Sequence, residues 1–185
     1  MNNRVITTVV VASSLVLLLF AGDLEALGFE SVGFRVGVDL TQESTFTEQY
    51  DGIVQGSSFD SASLVFGGHL DLGALFLPKL HLVPGMDLVM QKGLRIYSIN
   101  TEARYHFLDG GKTHGYAGGG VGINLYRPDA DPLVAQTKLS VNIPLGFQRK
   151  MGHGLVWFGE LKMVIANDQV DSSFRFSTGF ALGGN

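Results

Sequence analysis

From Phe34 onward the chain carries apolar residues at every second position, the period of a β-strand whose two faces meet different surroundings. Phe34, Val36, Val38 and Leu40 alternate with Gly33, Arg35, Gly37 and Asp39. Leu64, Phe66, Gly68, Leu70 and Leu72 alternate with Val65, Gly67, His69 and Asp71. Leu80, Leu82, Met86, Leu88 and Met90 oppose His81, Asp87 and Gln91. Tyr97, Ile99, Ala103, Tyr105 and Phe107 oppose Ser98, Asn100, Glu102, Arg104 and His106. The second half keeps the habit. Ala117, Val121, Ile123 and Leu125 oppose Gly118, Gly120, Gly122 and Asn124. Leu139, Val141, Ile143, Leu145 and Phe147 oppose Lys138, Ser140, Asn142 and Gln148. Leu155, Trp157, Leu161, Met163 and Ile165 oppose Glu160 and Lys162, and Phe174, Phe176, Phe180 and Leu182 oppose Arg175, Ser177 and Gly179. Eight strands are predicted, an even number.

The connections differ in length, and the one at Gln91 is unusually short for an outside loop. Thr41 to Ser61 is long and polar, Gly73 to Lys79 moderate, and Gln91-Lys92-Gly93 tight. Asp109 to Lys112 and Arg149 to Gly154 read as turns, Arg127 to Leu133 as a longer loop, and Asn167 to Asp171 as the last hairpin connection. If the chain enters near Phe29 on the periplasmic side, both longest connections fall outside the cell, the asymmetry of outer-membrane barrels.

Alternation alone does not say which face is inside. A soluble sandwich or lipocalin-like barrel turns its apolar face inward; a membrane barrel reverses the two faces. Three features favour lipid. The segments run about 9–13 residues, near the roughly 9–11 of a tilted membrane strand and beyond the soluble mean of about 5–6. The polar face is mostly Gly, Ser, Asn and sparse charge, without the Lys/Glu density of a solvated surface. Tyr105, Phe107, Phe147, Trp157 and Phe174 fall towards strand ends, where interfacial aromatic girdles form.

Composition agrees. Hydrophobic residues make up 45% of the 185 and charged residues 16%, a dry balance for a soluble domain. A net charge of -4 gives no basic face for nucleic acid. The absence of cysteine excludes disulfides, thiolate metal sites and a lipid-modified N-terminal cysteine. Ahead of the strands, Arg4 precedes an uncharged run from Val5 to Ala21, followed by Ala26-Leu27-Gly28 as an A-x-A-like cleavage site. That is the layout of a secretory leader. Residues 1–28 are therefore expected to be a cleavable helical signal peptide and 29–185 an outer-membrane β-barrel domain. A retained helical anchor is the competing reading, weakened by Thr7, Thr8, Ser13 and Ser14.

With the leader, the eight strands and the alternation laid out, the chain resembles the small OmpA/OmpX-like outer-membrane β-barrels from about Phe29 to Leu182. The likeness lies in the pattern rather than in any peptide motif. It implies an all-β, eight-stranded antiparallel up-and-down transmembrane barrel, monomeric, surrounded by outer-membrane lipid and placed there by the barrel-insertion machinery. Such barrels commonly end on an aromatic residue that this machinery reads. Here Phe180 is followed by Leu182-Gly183-Gly184-Asn185, a departure that touches the insertion signal and not the strands. No peptidoglycan-binding domain is expected after the barrel.

Candidate chemistry is sparse. Gly110-Gly111-Lys112-Thr113 has the end of a phosphate-binding loop, but His106 stands where the first Gly belongs and no helix follows. His69, Asp71 and His81 share the inward face of one hairpin and could hold zinc; a His–Asp hydrogen bond is the plainer arrangement. No His-x-Ser pair of the lipid deacylases is present, and His106, His114 and His153 lack a same-face Ser partner. No enzyme activity, cofactor or metal is expected.

What remains is a set of inward charges. By parity Arg35, Arg104, Lys138, Lys162 and Arg175 point inward, as do Asp39, Asp71, Asp87, Glu102 and Glu160. Five cations match five anions, so an internal salt-bridge network is expected rather than an ion-selective pore. Glu160 is expected among Lys162, Lys138 and Arg175, because its strand lies between those carrying the last two. The Gly-rich stretch from Gly118 to Gly122 is expected on the strand next to Glu102 and Arg104, where its missing side chains leave them room. Eight strands enclose a space that side chains just fill. The functional expectation is a structural or surface-interaction barrel, with narrow or gated conductance as a variant and loop 41–61, bearing Phe46, Tyr50, Ile53 and Phe59, as the surface for a ligand. A soluble periplasmic barrel holding an apolar ligand and a lipid-modifying enzyme are the alternatives.

Overall fold

A strand with one lipid-facing side can leave no backbone donor unpaired, because nothing in hydrocarbon would receive it. The eight strands meet that demand by closing on themselves. The computed structural model describes residues 28–41, 62–91, 93–129, 135–166 and 172–183. The predicted signal peptide and most of the long loop lie outside the described residues. The strands are β1 (Ser31–Thr41), β2 (Ala62–Asp71), β3 (Leu80–Gln91), β4 (Leu94–Asp109), β5 (Thr113–Pro128), β6 (Gln136–Gly152), β7 (Leu155–Ala166) and β8 (Ser173–Gly183). Each pairs antiparallel with its neighbours in sequence, and β1 closes the barrel against β8.

The register fixes both faces. Arg35 stands between Gly67 of β2 and Gly179 of β8, and turns inward at 5% exposure. Its neighbour Phe34 turns outward at 66%. The same division runs round the wall: Phe66, Met86, Ile99, Val121, Val141 and Phe176 are exposed, and Asp87, Asn100, Glu102, Asn142 and Lys162 are buried. This orientation rules out an apolar-centred barrel and with it the soluble ligand-binder. A continuous apolar outer wall around a charged centre is the arrangement lipid demands.

One end of the barrel, here the turn end, carries the β2–β3, β4–β5 and β6–β7 connections and both termini of the strand circuit; the other, the loop end, carries the remaining four connections, among them the short step from Gln91 to Leu94. At the turn end, β6 runs further than its sequence suggests, to Gly152. A bulge between Lys150 and Gly152 then feeds a two-residue turn. His153 and Gly154 both take positive φ, 53° and 71°, the backbone a tight primed hairpin turn needs. Tyr105, Phe107 and Phe147 lie outward near this end, and Trp157 packs edge-on against Phe147 at 5.3 Å. The Trp157 indole N–H donates to Thr178 Oγ1 at 2.9 Å, so its polar edge is satisfied at the wall.

The interior is less uniformly polar than parity implied. Val65, Val89, Leu94, Ile96 and Tyr126 form a buried apolar cluster towards the loop end. Val156, Phe158 and Ala181 form another towards the turn end. Charge is confined mainly to the middle.

Candidate functional site: the charged centre of the barrel

Eight inward charges meet there. Arg35 faces Asp87 across the barrel wall, with Nη2 and Nε each 2.7 Å from Oδ1. Its Nη1 lies 3.5 Å from Glu160 Oε1. Arg104 holds Glu102 through Nη2 at 2.7 Å and Nε at 3.0 Å, and the same Nη2 lies 2.8 Å from Glu160 Oε2. Lys162 Nζ sits 2.7 Å from Glu102 Oε1, 3.4 Å from Glu160 Oε1 and 3.8 Å from Asp87 Oδ2. Arg175 joins Asp39 at 2.5 Å to Asp87 at 3.3 Å. Asp87, Glu102 and Glu160 each touch at least two cations, so the pairs interlock.

Neutral groups complete the shell. Tyr116 donates to Glu160 Oε2 at 2.8 Å, Ser173 donates to Asp39 at 2.9 Å, and Asn100 reaches Asp87 at 3.4 Å. Such donors matter because burying an ion removes several kcal/mol of hydration, which Coulomb attraction offsets only with good geometry and satisfied lone pairs. Room for these groups comes from absent side chains on the facing strand. Gly120 pairs with Glu102 and Gly118 with Arg104. A Cβ on Gly67 would come within 2.1 Å of Asp87 Oδ1 and 3.0 Å of Arg35 Nε.

Of the ten sequence-predicted residues, Arg35, Asp39, Asp87, Glu102, Arg104, Glu160, Lys162 and Arg175 are brought together in the middle. The other two stand towards the ends. Lys138 lies near the loop end with its ammonium 5.5 Å above the Tyr126 ring. Asp71 lies at the turn end, hydrogen-bonded to His81 Nδ1 at 3.0 Å. Glu160 does have three cations, but two differ from those expected. It pairs with Gly146 of β6, eight residues from Lys138, while Arg175 pairs with Lys162 and turns to Asp39. Arg35 and Arg104 take their places, since side chains converge across the lumen as well as between adjacent strands. Tyr116, fully buried between Arg104 and Glu160, was missed. Its parity with Gly118 was the available signal.

His69 parts from the trio predicted with Asp71 and His81. It stacks edge-on with Phe158, ring centroids 5.1 Å apart, against Gly33. His106 takes its place beside His81, at 4.4 Å between ring centroids. These groups line a cavity of about 210 Å³ at the turn end, together with Glu30, His114 and Tyr116.

No protein-family model and no curated protein matches the chain significantly. Solved structures do match. Neisserial surface protein A is 14% identical, with a TM-score of 0.62, over 84% of this chain and 97% of that one. The N-terminal β-barrel domain of Pseudomonas aeruginosa OprF is 13% identical, with a TM-score of 0.56, over 84% and 99%. Both likenesses are of fold. The chain has the fold of the small eight-stranded barrels of the bacterial outer membrane, and its apolar outer wall suits that place.

Proposed function

We propose that this barrel is a structural or surface-interaction protein of the bacterial outer membrane, closed to solute by an ion-paired plug. The interlocked centre carries the reading: four cations and four carboxylates bind one another across the lumen, at side-chain exposures between 0% and 7%. Water held between such groups would compete for every contact; ion pairs this close leave it little room. The apolar cluster of Val65, Val89, Leu94, Ile96 and Tyr126 supports closure from the loop side. A barrel without a passage acts through its ends. In this reading the chain enters at the periplasm, residues 1–28 direct export and are removed, and segment 41–61 meets any surface ligand. A non-enzymatic role follows from the same reading.

Planar-bilayer recording of the refolded barrel tests the plug. The expected trace has no steady open level in wild type, whereas Glu160→Ala, which removes the carboxylate shared by Arg35, Arg104 and Lys162, opens one. A steady ohmic current in wild type that Glu160→Ala leaves unchanged would refute closure.

A further inference from the structure

Inside the turn-end cavity, three strands converge on one point with side chains unlike those of the centre. Asp71 closes β2, His81 opens β3, and His106 lies on β4 two residues beyond Arg104, the register partner of His81. That offset is the diagonal of an antiparallel pair, within reach of long and aromatic side chains on one face. The imidazoles accordingly meet at 4.4 Å between centroids. One donor atom from each of Asp71, His81 and His106 lies within 4.8 Å of the other two.

We infer that Asp71, His81 and His106 form a binding site for a divalent transition-metal cation of the zinc, cobalt or copper class. Two imidazoles and one carboxylate are borderline ligands, which suit these metals better than magnesium or calcium. The site is also held in place. Asp71 Oδ1 accepts the Gly73 backbone N–H at 2.9 Å, and both carboxylate oxygens face His81 Nδ1, at 3.0 and 3.1 Å, so a cation would enter between the carboxylate and the imidazole in place of that hydrogen bond. The His81 ring is oriented by Asp71, whose carboxylate faces Nδ1. His106 Nε2 is buried without a hydrogen-bond partner, an orphan that a cation would satisfy. The Glu30 carboxylate, 3.6 Å from His81 Nδ1 and half-exposed, stands where it could add a fourth ligand. The cavity itself gives access. Closing the trio to the roughly 3.3 Å ligand spacing of a tetrahedral site with 2.0–2.1 Å bonds is within the reach of side-chain rotation.

The test uses the untagged full-length barrel in detergent after chelator treatment, titrated with Co²⁺ and followed by its visible d–d absorption. Binding of one equivalent is expected, reversed by Zn²⁺, with a rise in thermal midpoint on Zn²⁺ addition. His106→Phe keeps a ring against His81 and Tyr116 but offers no nitrogen; it should weaken binding at least about tenfold, as should Asp71→Asn. His153→Asn, in the β6–β7 turn and outside the cavity lining, keeps a residue that tolerates positive φ and should bind as wild type. Circular dichroism verifies that each variant is folded, and His106→Ala provides a second removal of the same ligand. Absence of a Co²⁺ spectrum at millimolar metal, undiminished binding in both His106 variants, or loss of binding in His153→Asn would each overturn the assignment.

Discussion

The middle of the barrel and its turn end are built from the same strand faces and have opposite characters. β4 shows this best: Glu102 and Arg104 belong to the centre, and His106, two residues further on, belongs to the cavity. In the centre the paired side chains of Arg35 and Asp87 are 2% and 1% exposed. At the turn end those of His81 and Glu30 are 13% and 47% exposed. Depth, not facing, separates them. Deep in the wall no water can compensate a charge, so each ion must find counter-ions and the set becomes self-saturated. Near the mouth water shares the work, and carboxylates and imidazoles can stand together with coordination capacity in reserve. One region therefore resists change, and the other can respond to what enters.

Perturbations should sort by this depth. The largest effect is expected at Glu160, where an alanine removes one counter-ion from each of Arg35, Arg104 and Lys162 and leaves their mutual repulsion less compensated. Breaking a buried pair by deleting one partner costs about 3–5 kcal/mol, readable as a lower denaturant midpoint in detergent. Glu160→Gln should cost less, because it keeps the volume and can still accept from Tyr116. An alanine variant as stable as wild type would detach Glu160 from the network. Next comes the outer wall: Val141→Arg puts a charge on a lipid-facing position that is 51% exposed. It should lower folding free energy into lipid by about 2–4 kcal/mol if the residue sits near mid-membrane, and full tolerance would contradict the face assignment. Gly67→Val drives a side chain against Asp87 and Arg35. Overpacking of this kind costs about 1–3 kcal/mol, and an unchanged unfolding midpoint would mean the pair is loose. Smallest of all is Asp129→Ala, which removes an exposed partner of Arg95 at the loop end. Surface ion pairs of this sort contribute little, so no measurable shift is expected; a large one would erase the contrast between depth and surface.

Strand positions and the division into two faces were legible because period two is a local property, readable without knowing any neighbour. That the Gly-rich stretch of β5 would lie beside Glu102 and Arg104 was legible because consecutive strands pair, although a bulge between His106 and Leu108 shifts the register that the turn alone would give. Contacts across the lumen were not. Arg35 and Glu160 lie on β1 and β7, with β8 between them, and only closure of the barrel brings them within 3.5 Å. The apolar clusters were hidden by the same parity that revealed the charges, since Val65, Ile96 and Phe158 share the inward face with Gly67, Ser98 and Glu160. The grouping of His69 with Asp71 and His81 treated the hairpin as the whole environment. In the barrel, β7 supplies Phe158 to His69, and β4 supplies His106 to His81.

If the buried charges hold one another, a double-mutant cycle on Arg35 and Asp87 must reveal their coupling. Arg35→Met, Asp87→Leu and the combined variant would be unfolded by denaturant in the same detergent. Residues that share a network show coupling energies of about 0.5–3 kcal/mol. The prediction is a coupling in that range, with the double variant markedly less destabilised than the sum of the two singles. Additivity within about 0.3–0.5 kcal/mol would mean that the two charges, 2.7 Å apart, do not support each other, and would contradict the account.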